Sequence, residues 1–297
     1  MSEAGRLVID SAGVGRYTRA NTELLDARRV LGFTAGLGEI GDALLSGDEP
    51  LVHPGMAFAL QFNAQGFLGA STASGSAEAW LGAVHAETDL RLHQPFRTGQ
   101  AITTQGRVVA RRQIRSGVYN VERYRMVDDA GALIAEVDFN LIIRGATLSG
   151  GDVDLDPPPP RPQPPEAVEP EARIALFVPR RALHHYTASS GIYAPIHTDR
   201  RVAVRAGFAD IILHGSATKS IALSVIIARC FDGDPTRITR LYGQLRAVVF
   251  ADTSITVEIL AQVRSGDETQ VFFRVLNQDG DAAVANGLII GRAGGRP

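Results

Sequence analysis

The chain holds seven histidines, and His184, His185, His197 and His214 all fall in one stretch. Imidazole is the side chain that exchanges a proton nearest neutral pH, so these positions are the first candidates for acid–base chemistry. His197 follows Pro195-Ile196. Taken alone it reads either as a buried, hydrogen-bonded side chain or as a proton carrier. The neighbours His184 and His185 would point apart on a helix, and no carboxylate or cysteine completes a set beside them, so no metal site is expected. The single cysteine, Cys230, lies in the apolar run 221–231. That position favours packing over nucleophilic chemistry, and a disulfide within the chain is impossible. Arg200, Arg201 and Arg205 read as a solvated helix face or as contacts to phosphates. The glycine pairs Gly13/Gly15 and Gly36/Gly38 lack dinucleotide-binding spacing.

Short elements must hold these side chains. The stretch 183–199 reads as a helical piece and then a turn at Ser190-Gly191. Pro195 next enforces extended backbone. Thr198 or Asp199 is a good N-cap for a short helix over 200–206. A second, strongly apolar helix begins near Gly215 and runs to Phe231.

That helix has a counterpart. Leu51-Val52-His53-Pro54-Gly55-Met56 leads into an apolar helical stretch to Phe67, as Ile212-Leu213-His214-Gly215-Ser216 does later. Strand-like runs follow each helix, at 87–92, 101–111, 119–127 and 132–144, then at 241–250, 254–263, 270–276 and 282–291. Turn signals fall at matching places, Asp128-Asp129-Ala130-Gly131 and Asn277-Gln278-Asp279-Gly280. Both series close on Leu-Ile-Ile. Between them lies a segment with eight of the fifteen prolines, within 157–170. Such a segment cannot build helix or central strand. The pattern predicts an α+β chain with an N-terminal unit at 1–149, a linker at 150–171 and a C-terminal unit at 172–297. Each unit wraps an antiparallel sheet around its helix. Two such sheets in one chain can pair edge to edge, which removes an exposed edge.

Composition narrows the partners. The net charge of −2 offers no bulk field for nucleic acid. The apolar runs are too short for a membrane helix. The first residues do not read as a secretory signal, so a cytoplasmic protein is expected. The only lysine is Lys219.

The motif stretch resembles the MaoC-like hydratase family, also called hydratase 2 or (R)-specific enoyl-CoA hydratase. Its pattern runs Tyr, a short spacer, Ser-Gly-Asp-x-Asn-Pro-Leu-His, then a short helix and a His-Gly. Here it reads Tyr186, Ser190-Gly191-Ile192-Tyr193-Ala194-Pro195-Ile196-His197, then Ala206-Gly207-Phe208 and His214-Gly215. The resemblance covers 178–260 strongly and the N-terminal half weakly. It implies a double hot-dog fold and binding of an acyl-CoA or acyl-carrier thioester. The implied reaction is addition of water to a 2-enoyl thioester or its reversal, a hydro-lyase activity in fatty acid metabolism with no cofactor besides the thioester. It implies His197 as acid/base and the Gly215 N–H as donor to the thioester oxygen, where enolate charge develops. Tyr193, His214 and Tyr186 are supporting candidates. The N-terminal half is expected to shelter the acyl chain; a homodimer is one option, and the sequence leaves the oligomeric state open because the fused pair already mimics a hot-dog dimer.

Two motif positions depart from the family: Ile192 stands at the Asp and Ala194 at the Asn. Isoleucine cannot accept a proton or orient water. Three readings follow. His197 acts alone, or a nearby group (Tyr193, His184, His185 or Asp210) substitutes, or the site binds a thioester without turnover. An enolate-type isomerase in a specialised acyl or polyketide pathway is a further enzymatic alternative.

Overall fold

A computed structural model describes residues 7–38, 42–45, 49–65, 73–74, 83–164 and 169–294. Strands β1 (Val8–Asp10) and β2 (Asn21–Leu24) precede helices α1 (Ala27–Gly36), α2 (Asp42–Leu45) and α3 (Met56–Gln65). Strands β3 (Ala73–Ser74), β4 (Ala83–Leu92), β5 (Ala101–Ile114), β6 (Gly117–Val127), β7 (Leu133–Arg144), β8 (Thr147–Ser149) and β9 (Val153–Asp154) follow. The remainder is β10 (Ala172–Val178), α4 (Arg180–Ser190), α5 (Arg200–Arg205), α6 (Gly215–Cys230), β11 (Ile238–Leu245), β12 (Thr253–Ser265), β13 (Glu268–Leu276) and β14 (Ala282–Arg292).

Among the described residues the main sheet has eleven strands, in the order β10-β12-β13-β14-β11-β4-β7-β6-β5-β2, with β9 beside β5. Read outward from its middle, the order on one side repeats that on the other. The central pair is β11 and β4, antiparallel, with Leu241 opposite Leu90 and Gly243 opposite Thr88. Two sheets joined at one edge leave neither of those edges open, which is the physical return on duplication.

Each half wraps its sheet around one helix. The α6 side chains Ala222, Leu223, Ile226 and Ile227 are buried in one cluster with Val257, Val271, Phe273 and Ile289 of the strands. The α3 side chains Met56, Phe58 and Leu60 share that cluster with Leu90, Tyr124 and Val137. Burying each large apolar side chain contributes ~1.5–3 kcal/mol. The architecture is α+β, a double hot-dog.

Several elements differ from the sequence reading. The run 241–250 was expected as one strand, but β11 ends at Leu245. The chain beyond it turns to meet the segment before α6: Leu213 N–H donates to Val249 O at 2.8 Å, and Ile212 bridges Phe250. Edge strands β2 and β10 were not anticipated, because their sides alternate between half-buried and exposed. Helix α1 was also missed. Gly32 and Gly36 weaken its propensity, and an N-cap bond from Arg29 N to Asp26 Oδ1 (2.7 Å) starts it. Helix α3 ends at Gln65, and the predicted continuation to Phe67 lies outside the described residues.

The proline-rich segment bears on the outer face of the sheet. Its Arg161 forms a salt bridge with Glu87 of β4 (3.0 Å), which also accepts from Tyr242 (2.8 Å) of β11 and Asn140 (2.9 Å) of β7. Burial alone would raise the Glu87 pKa. The donors Arg161, Tyr119, Tyr242 and Asn140 instead hold it down to about 2.

Candidate active site

The motif residues are placed by backbone more than by side chain. Helix α4 closes at Gly191, whose φ of 76° is the left-handed conformation that a C-cap needs and a side chain resists. The chain then runs extended, so successive residues face opposite ways: Ile192 is 2% exposed and Tyr193 is 73% exposed. The Ser190 hydroxyl donates to Tyr186 O (2.6 Å) and accepts the Ile192 N–H (3.2 Å). A one-turn 3-10 helix, Pro195–His197, carries His197. Asp199 then caps α5 by accepting the Arg201 N–H at 2.8 Å.

His197 has a defined tautomer. Its Nδ1 lies 2.7 Å from the carbonyl oxygen of Ile212, so Nδ1–H donates and Nε2 keeps a lone pair. Burial lowers its pKa to about 4, against the raising effect of that hydrogen bond. The ring is therefore a neutral base at physiological pH. His214 stacks on it, with ring centroids 3.6 Å apart. The His214 Nε2–H donates to Ile192 O at 3.0 Å, and burial with the nearby His197 brings its pKa to about 3. Its Nδ1 is buried with no hydrogen-bond partner among the described residues. Tyr186 packs on His214 and donates to Ser216 Oγ at 3.0 Å.

These rings stand at the N-terminus of α6, whose first N–H groups have no partner within the helix. Gly215 has a structural reason to lack a side chain: a Cβ there would sit 2.2 Å from Leu245 Cδ1. The N-terminal half offers an instructive contrast. His53, ahead of α3, accepts the Gly55 N–H at Nδ1 (3.0 Å) and meets Ser224 Oγ through Nε2 (3.1 Å). Both of its nitrogens are satisfied within the protein. The equivalent His214 keeps one acceptor spare, and only the C-terminal half carries the motif loop with His197.

The structure thus brings together His197, His214, Tyr186 and Gly215 and leaves the other candidates apart. Tyr193 corrects the sequence expectation: the extended strand turns it to solvent, opposite Ile192. Asp210 is bound by Arg180 in two bonds of 3.0 and 2.6 Å. His184 bonds main-chain oxygens of Arg180 and Thr198. His185 lines a separate groove of about 470 Å³ with Phe177, Ile221 and Val225. The Ile192 side chain belongs to the buried apolar core. Among the described residues no cluster suited to a metal ion occurs. His85 lies half-buried, with its Nε2 2.6 Å from Thr88 Oγ1. Thr88 was not anticipated, and the buried Lys219 was noted only as the chain's single lysine. The one signal for Lys219 was a lone lysine in an apolar helix.

A pair of helices, each wrapped by one half of a continuous antiparallel sheet, defines a double hot-dog. Residues 161–278 match the family model of the MaoC like domain. The chain is 24% identical over 214 residues to peroxisomal multifunctional enzyme type 2 of Drosophila melanogaster, covering 70% of this chain and 34% of that protein. It is 30% identical over 151 residues to 3-hydroxyacyl-thioester dehydratase X of Mycobacterium tuberculosis, covering 50% of this chain and 51% of that one. The match therefore spans about a third to a half of these relatives' lengths. A MaoC-like dehydratase from Phytophthora capsici superposes with a TM-score of 0.81 at 18% identity, over 95% of this chain and 97% of the other. Among the described residues, no helix is long and apolar enough to cross a membrane.

Proposed function

We propose that the protein is an acyl-thioester hydratase or dehydratase in which His197 is the acid/base. The observation that carries this reading is the fixed tautomer of His197, whose unprotonated Nε2 belongs to a neutral ring stacked at the N-terminus of α6. In the hydration direction, Nε2 takes a proton from water as the water oxygen bonds the β-carbon of a 2-enoyl thioester. The electron pair of the double bond moves onto the thioester oxygen as an enolate. Unpartnered N–H groups at Gly215 and the following turn, with the helix dipole, stabilise that charge. The imidazolium then returns its proton to the α-carbon. One group suffices if it carries the proton from water to carbon, so the absent carboxylate does not by itself bar the reaction. The name of the 3-hydroxyacyl-thioester dehydratase relative supports an acyl thioester as the ligand, and no cofactor enters the steps.

Loss of the conjugated enoyl chromophore tests this. Wild type should turn over short and medium 2-enoyl-CoA, and His197→Ala should be slower by roughly 10²–10⁴-fold. Equal rates would remove His197 from the chemistry.

A second reading has its own observation: Ile192 is buried among apolar side chains at the position where the family's motif carries an aspartate. On that reading the site binds a thioester without hydrating it. An Ile192→Asp, Ala194→Asn double variant that gains activity from a silent parent would favour it. High activity in the parent would exclude it.

A further inference from the structure

Lys219 is 0% exposed, deep within α6. Its ammonium has three donors. It donates to Thr88 Oγ1 on β4 and lies 5.2 Å from the centre of the Phe58 ring on α3. Among the described residues it forms no ion pair. Glu87, the acid whose field reaches it, faces the other side of β4 and is already held by Arg161, Tyr119, Tyr242 and Asn140. Thr88 is committed as well, since His85 Nε2 sits 2.6 Å from its hydroxyl. A buried cation with spare donors and no counter-ion is costly, and an apolar residue of similar size would be more stable there. Packing therefore does not explain it.

Its place on the helix suggests what it is for. Lys219 is four residues after Gly215, one turn along the same face. Helical side chains lean toward the N-terminus, and the four-carbon stem is flexible. The ammonium can thus swing back toward the turn that offers its N–H groups to a thioester oxygen, on the side of the N-terminal half.

We propose that Lys219 binds a carboxylate on the acyl group, so that the preferred ligand is a short acyl thioester bearing a second, free carboxyl group. The inference rests on the thioester reading of the α6 N-terminus. A single ammonium with no arginine beside it fits one carboxylate better than a phosphate. Proton loss by Lys219, whose pKa burial lowers to about 7, would weaken the preference in mildly alkaline solution.

The test uses saturated thioesters, which cannot be hydrated, so it does not depend on turnover. Affinities of succinyl-CoA and butyryl-CoA are measured by calorimetry on the full chain, for wild type, Lys219→Met and Lys219→Arg. Wild type should prefer succinyl-CoA by roughly tenfold to a hundredfold near neutral pH. The preference should vanish in Lys219→Met and persist in part in Lys219→Arg. Equal affinity of wild type for the two, including no measurable binding of either, overturns the proposal. So does a preference that survives Lys219→Met. If the preference is found but no enoyl thioester is hydrated, the hydratase reading fails and the carboxylate site stands.

Discussion

At the scale of single residues, the site is organised by which nitrogen holds which proton. Ile212 O fixes the proton on His197 Nδ1, and Ile192 O fixes that on His214 Nε2. Both rings are kept neutral by burial, and at a 3.6 Å stacking distance a charge on one disfavours a charge on the other. A base with a pKa of about 4 is unprotonated above that value. The hydration rate should therefore be level from pH 6 to 8 and fall as the pH drops through about 4, as a pH–rate profile would show. A break near the ordinary histidine value would mean that His197 is more solvated than its contacts indicate. His214→Gln tests a positioning role. It should lower kcat more than it raises KM, because the turn proposed to bind the thioester is retained while the ring stacked on His197 is lost.

At the scale of elements, three close fits hold the motif loop against α6. Gly191 turns the chain out of α4, residues 211–213 pair with 249–251 instead of continuing the sheet, and Leu245 presses on Gly215. Gly215→Ala should destabilise the fold by about 1–3 kcal/mol through overpacking. Adding Leu245→Ala should recover much of that loss, measured by denaturant unfolding. This level also separates what was legible in the sequence from what was not. The long apolar helices were readable as sustained apolar runs and the paired strand runs from their alternation and turn signals, and the α5 cap was readable from Asp199. Strand β11 was read too long because residues 246–251 are apolar enough for a strand, while their hydrogen bonds go to the pre-helix segment. The motif located His197. The exposure of Tyr193 follows from one alternation of extended backbone, and the pairing of Lys219 with Thr88 joins two halves far apart in sequence. Neither contact could be read from local pattern.

At the scale of the whole molecule, burial of neutral bases makes stability depend on pH. His53, His85, His197 and His214 all have pKa values lowered mainly by desolvation. The unfolded chain therefore binds more protons than the native one below the ordinary histidine value of 6.5. Stability should fall as the pH drops from there toward 3–4, more steeply than carboxylates alone would cause. Lys219 acts in the same direction at higher pH, since its lowered pKa means that stability rises from about 7 toward the free-lysine value. Lys219→Met should therefore melt no lower than wild type at pH 7 and flatten that rise. Melting temperatures of both chains across pH 4–10 check both slopes. Across the seam, Glu87 joins β4, β7, β11 and the proline-rich segment. The linker is in this sense part of the fold.

The central claim is that one neutral imidazole at the head of α6 moves a proton between water and the α-carbon of an enoyl thioester. The most direct test is to incubate wild type and His197→Gln with a short 2-enoyl-CoA in D₂O and follow the products by NMR. The account predicts that wild type yields the 3-hydroxyacyl thioester with one deuterium at the α-carbon, and that His197→Gln yields almost none. A wild-type product with a shifted double bond and no hydroxyl, or no reaction with a tightly bound thioester, would contradict it.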